Sequence, residues 1–288
     1  MEIKRIAFFN YFHNGDIFLS KPYVKHIAES LPQFSFSYAH SNGSKIIKDI
    51  GIDYQELNSS YFPESAEYFI NGDTLLINTH VGKYFSYIED AECNWITTHK
   101  VYEKINKNIF DAIGVKIKIK DIKDYVYETD YSCYDIPSNL SLDYENTVMI
   151  SNGNVMSGQS NLQSMDNIIH YLVNVFPEKK FILTHESSIQ SNNILYTKDL
   201  IQTNGSDLNE ISYIADKHCK YIIGRQSGPF IFMNTSSILN NKNKKIFSLR
   251  YNRNCDFLYQ IKVDSEYFSI LDKDINYVFD IIEKNLRD

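Results

Sequence analysis

The stretch 207–230, Asp-Leu-Asn-Glu-Ile-Ser-Tyr-Ile-Ala-Asp-Lys-His-Cys-Lys-Tyr-Ile-Ile-Gly-Arg-Gln-Ser-Gly-Pro-Phe, decides the fold class. Its first half has a helical period, with Ser206 and Asp207 available as caps. Lys220–Ile223 is a short apolar run that reads as a buried strand. Gly224–Pro229 is then a turn of small and polar residues, and a second helix is expected near Phe230. Helix, strand, tight turn and helix in succession are the signature of a parallel sheet covered by helices.

The same rhythm runs through the rest of the chain. Residues 6–10 form an apolar run, followed by a polar loop and a helix. For that helix Ser20 is the expected N-cap and Pro22 lies in the first turn, with Val24, Ile27, Ala28 and Leu31 as its stripe. Strands are expected at 34–38, 74–78, 147–151, 181–184, 193–196 and 245–249, the last of the chain. Helices are expected at 44–50, 95–113 and 162–176, and over the amphipathic C-terminus. The stretch 130–146 has no period and reads as a linker. The expected architecture is α/β: two Rossmann-like domains with parallel sheets facing a cleft. It comprises an N-terminal domain (1–135), a C-terminal domain (146–270) and a C-terminal helix (271–288).

Composition narrows the function. A length of 288 residues suits two domains, and 43% hydrophobic residues can fill their cores. The formal charge of −7 argues against a nucleic-acid binder, although Lys116, Lys118, Lys120 and Lys123 make a small basic patch. No apolar run approaches the roughly 20 residues of a membrane span. The start is too short and too charged for a signal peptide, so a cytoplasmic protein is expected, with at most peripheral membrane contact. Cys93, Cys133, Cys219 and Cys255 form no CxxC pair. HExxH, GxGxxG and GxSxG are also absent, and the reading includes no metal and no cofactor.

Ligands of parallel sheets bind beyond the carboxyl ends of the strands, which singles out four loops. His13-Asn14-Gly15-Asp16 offers a carboxylate near a helix start, either a proton acceptor or a helix-favouring Asp. Arg225, Ser227 and Gly228 could seat a diphosphate, or form an ordinary turn. Asn152, Gly153, Gln159 and Ser160 carry amides and hydroxyls suited to sugar hydroxyls, or simply solvate a loop. His185 and Glu186 end a strand, where a carboxylate could hold a ribose or sit at the surface. Glu210 opens a helix, and His80 is a further acceptor-side candidate.

Gly15-Asp16-Ile17-Phe18-Leu19 with Pro22 and Leu31-Pro32, and the stretch from Leu208 to Pro229, together resemble the ADP-heptose:lipopolysaccharide heptosyltransferases. The resemblance covers under a quarter of the chain. It implies a GT-B fold and an inverting, metal-independent transfer of a sugar from a nucleotide-sugar to a glycan or lipid-linked acceptor, in bacterial surface polysaccharide or lipopolysaccharide synthesis. It places the base on Asp16 and the donor phosphates at Ser227 and Gly228. Gln226 departs from the family's Asp, and the family's Lys and Trp have no match in 152–161. A nucleotide-sugar epimerase of the same architecture, or a binding protein that retains the fold, are the alternatives.

Overall fold

The computed structural model describes residues 2–92, 94–137, 139–154, 164–202, 204–250, 256–258, 260–271 and 274–287. They divide into two compact units, Met1–Tyr127 and Glu128–Asp288.

The first unit opens with β1 (Arg5–Phe9) and α1 (Asn14–Ser30), then β2 (Ser35–His40), a 3₁₀ segment Ser44–Ile50 and β3 (Asp53–Glu56). After these come β4 (Tyr68–Asn71), β5 (Thr74–Asn78), a 3₁₀ segment Val81–Tyr87 and α2 (Trp95–Ile113). The strands lie in the order β3-β2-β1-β5-β4. Four are parallel, as expected. β4 is antiparallel to β5, because Asn71-Gly72-Asp73-Thr74 closes a hairpin with Gly72 at φ 58°. That turn needs the left-handed conformation glycine adopts without strain. β1 is central, and Ile6, Ala7, Phe8 and Phe9 are all buried. Asn94 caps α2 by accepting the Thr97 N–H at 2.9 Å, and Gly114 at φ 72° ends it.

α1 departs from the sequence expectation. It begins at Asn14, six residues before Ser20, and Pro22 lies inside it. The buried stripe runs further back, through Ile17 and Phe18 to Lys21. Lys21 disguised this stripe, since a charge is not expected in a core. Its ammonium meets the Asp49 carboxylate at 2.7 Å, with both side chains fully buried. Tyr127 donates to the other Asp49 oxygen at 2.7 Å, and its ring lies 4.7 Å from the ammonium. Pro22 lies within this helix at the cost of one backbone hydrogen bond.

The second unit contains β6 (Thr147–Ser151), α3 (Met165–Val175), β7 (Lys180–Leu183), β8 (Ile194–Tyr196) and α4 (Thr197–Leu200). It continues with α5 (Leu208–His218), β9 (Tyr221–Arg225), α6 (Gly228–Ile231), α7 (Ser236–Leu239), β10 (Lys245–Arg250), β11 (Glu266–Leu271) and α8 (Ile275–Arg287). The order is β11-β10-β9-β6-β7-β8, with every pairing parallel. One face, including Val148, Ile150, Phe181, Leu183, Ile223, Phe247 and Ile270, packs against α3 and α8 in a single apolar cluster. The last strand is β11 rather than 245–249. β9 runs two residues past Ile223, so Gly224 and Arg225 belong to a strand and not to a turn. The 130–146 stretch makes contacts within this unit, with Tyr131 and Ser212 hydroxyls 3.0 Å apart and Tyr144 O accepting from Lys220 N at 3.1 Å.

Candidate functional site

Each sheet has one place where its strand order reverses. In the second, β6 leads to β7 and β8 on one side, and the chain then crosses back to β9 on the other. The loops leaving β6 and β9 therefore diverge from one point, where parallel sheets hold ligands. Ser151 and Gly224 are paired there. A Cβ on Gly224 would lie 2.5 Å from the Phe230 ring and 2.8 Å from Ser151 Cβ, so only glycine lets the chain after β9 fold down onto the sheet.

The expected donor-side residues divide at this edge. Ser227 is the N-cap of α6, its Oγ accepting the Phe230 N–H at 3.4 Å, and Gly228 opens the helix. Asn152 is a brace: its Oδ1 accepts from His185 N and its Nδ2 donates to His185 O, both at 2.9 Å. Gly153 lies against the His185 ring, where a Cβ would come within 2.5 Å of Cε1. Arg225, Gln226 and Glu210 are buried. His185 and Glu186 are exposed, and Glu186 pairs with Lys198, which holds its carboxyl below the usual range. Gln159 and Ser160 lie outside the described residues. Among the described residues no cluster of His, Cys, Asp or Glu could hold a metal ion, and no helix is long and apolar enough to cross a membrane.

In the first unit the reversal lies between β1 and β5. Two asparagines end these strands, and each accepts from the backbone two residues on: Asn10 from Phe12 N at 2.8 Å, Asn78 from His80 N at 3.0 Å. Asn10 also donates to Thr79 Oγ1 at 3.2 Å. Thr79 and Ser20 both meet the Tyr38 hydroxyl at 2.7 Å, in a fully buried chain. Sequence reasoning passed over Phe12 and Thr79, took Asn10 and Tyr38 only as strand residues and read Ser20 only as a helix cap. The recurrence of apolar strand followed by Asn, in Phe8-Phe9-Asn10 and Leu76-Ile77-Asn78, was the available signal.

Asp16 stands in the first turn of α1, with exposed His13 as N-cap, Asn14 half-buried and Gly15 buried. Among the described residues its carboxylate has neither a hydrogen-bond partner nor an ion pair. Burial alone pushes its carboxyl up to about 7. The helix N-terminus opposes that shift but lacks the proximity of a specific donor. His80 stacks on Phe12 with centroids 3.9 Å apart, and burial lowers its pKa to about 4, with Lys83 and His13 adding to the effect.

No family model and no curated protein matches the sequence. Solved structures match in fold. The Escherichia coli heptosyltransferase WaaC with ADP aligns over 98% of this chain and 99% of its own, with TM-score 0.53 and 10% identity. The complex of WaaC with ADP-2-deoxy-2-fluoro heptose gives 0.52, also at 10% identity and over the same shares of each chain. The dodecameric iron-containing glycosyltransferase TibC from enterotoxigenic E. coli H10407 gives 0.50 at 11% identity, over 92% of this chain and 63% of that one. The chain thus has the GT-B fold, and its distant resemblance to heptosyltransferases extends well beyond the two motifs that suggested it.

Proposed function

We propose that this chain is a metal-independent, inverting glycosyltransferase that moves a sugar from a nucleotide-sugar to a glycan or lipid-linked acceptor. Asp16 carries the reading. A general base must be free to take a proton and must have a pKa near the working pH. A carboxylate without a partner, raised to about 7 by burial, meets both conditions. In the reaction Asp16 accepts the proton of an acceptor hydroxyl. That oxygen forms the new bond to the anomeric carbon from the face opposite the nucleotide diphosphate, which leaves with the electrons of the broken bond.

The second unit takes the donor at the carboxyl ends of β6 and β9. The backbone N–H groups at Gly228 and the Ser227 hydroxyl are the expected partners of the leaving diphosphate. The nucleotide-sugar complexes of WaaC and TibC, which share the fold, support a donor of this class.

The test is a thermal-shift screen with nucleoside diphosphates and nucleotide-sugars. A ligand at about 100 times its Kd stabilises the native state by about 2.7 kcal/mol. A bound nucleotide-sugar is then assayed for transfer, where Asp16→Asn is expected to lower kcat by about 10²–10⁴ without abolishing nucleotide binding. No shift with any nucleotide overturns the proposal.

A further inference from the structure

The loops after β1 and β5 do more than bracket Asp16. Matched asparagine turns at Asn10 and Asn78 fix the two loop backbones, and the Asn10–Thr79 hydrogen bond ties them together. Their outcome is a stacked pair of rings, Phe12 on His80, at 3.9 Å and 26°. Behind His80, a Cβ on Gly82 would lie 2.8 Å from the imidazole Cε1, so a glycine is what lets the ring sit there. Four residues are thus committed to holding an aromatic surface four residues before Asp16. Phe12 and His80 are each only partly buried.

Beside this surface stand polar atoms with nothing to bind. Asn14 Oδ1 and His80 Nδ1 are buried and have no hydrogen-bond partner. Folded proteins pair most such atoms, with protein groups, ordered water or a ligand. The Asp16 carboxylate adds a third unpaired acceptor. An apolar ring face flanked by unsatisfied polar atoms matches one ligand chemistry closely. A pyranose has a C–H face, weakly positive, which suits the negative face of an aromatic ring, and a rim of hydroxyls that both donate and accept. His80 remains neutral at ordinary pH because burial disfavours its charged form, and the nearby Lys83 and His13 add to the effect.

We infer that the Phe12–His80 stack is the acceptor platform, and that the acceptor lays the C–H face of a pyranose on it with its hydroxyls toward Asn14, His80 and Asp16. The inference rests on the transferase reading for the word acceptor, but its test does not use a nucleotide. Phe12 is a specificity residue: it fixes which group reaches Asp16 and takes no part in the proton transfer.

The experiment is saturation-transfer NMR on the full chain with methyl β-D-glucopyranoside, methyl β-D-galactopyranoside and methyl α-D-mannopyranoside, with open-chain sorbitol as the control. At least one glycoside is expected to receive saturation on its ring C–H protons, and sorbitol none. Phe12→Leu keeps apolar bulk without a π face and should cut that signal by about fivefold or more, whereas Phe12→Tyr should retain it. His80→Gln, which removes the other ring, should weaken it too. Silence from every glycoside, or equal signals from wild type and Phe12→Leu, overturns the platform. If glycosides bind and no nucleotide shifts the melting temperature, the transferase reading fails while the sugar platform stands. The reverse result removes the platform alone.

Discussion

Asp16→Asn should make the protein more stable at neutral and alkaline pH while lowering the proposed transfer activity. The folded-state carboxyl is pushed from 3.8 to about 7 by burial, with no compensating hydrogen bond. A carboxyl that holds its proton more tightly when folded favours folding below its unfolded pKa, and that contribution is lost as pH rises through the folded value. At about 1.4 kcal/mol per pH unit, the interval sets a ceiling of about 4 kcal/mol of destabilisation, complete near pH 8. Relaxation of α1's first turn and the helix dipole reduce this, and about 1–3 kcal/mol is the expected gain. Asparagine has the same shape and never ionises. Urea unfolding of both proteins should therefore show a stability difference near pH 8 that shrinks as pH falls towards about 4.5. The proposed transfer activity should rise through pH about 7 as Asp16 deprotonates. Equal stabilities near pH 8, or a difference that does not change with pH, would refute the argument that Asp16 is held ionised against a desolvation cost.

Two further outcomes follow from packing. Lys21→Met leaves the Asp49 charge buried beside Tyr127 and should cost about 3–5 kcal/mol in urea unfolding, whereas Lys21→Met with Asp49→Leu should recover most of it. Gly224→Ala drives a Cβ into Phe230 and Ser151 and should cost about 1–3 kcal/mol. Gly153→Ala meets only the exposed His185 ring, which can turn away, so its cost should stay below about 1 kcal/mol; similar losses at the two glycines would contradict this reading.

Elements whose signals are local were legible in the row of residues. The helix expected at 95–113 is α2 with the same bounds, 74–78 is β5, and Gly51 closes the 44–50 segment at φ 71°. Alternating strands and helices fixed the fold class, because an apolar strand between amphipathic helices has few ways to be buried. Asp16 and the Ser227-Gly228 turn were also legible, since small and acidic residues at strand–helix junctions stand out in a row of letters.

Tertiary structure decided what depends on a distant partner. Lys21 reads as a surface charge until Asp49 and Tyr127, 28 and 106 positions away, bury it inside α1. Asn152 reads as a sugar ligand until His185 takes both ends of its amide. The Phe12–His80 platform exists because β1 and β5 lie side by side, a fact set by strand order and carried by no residue between them. Periodicity records which way a side chain points, but what meets it there is fixed by the pairing of strands far apart in the chain. The free energy of a charge or amide depends on that neighbour more than on its own identity.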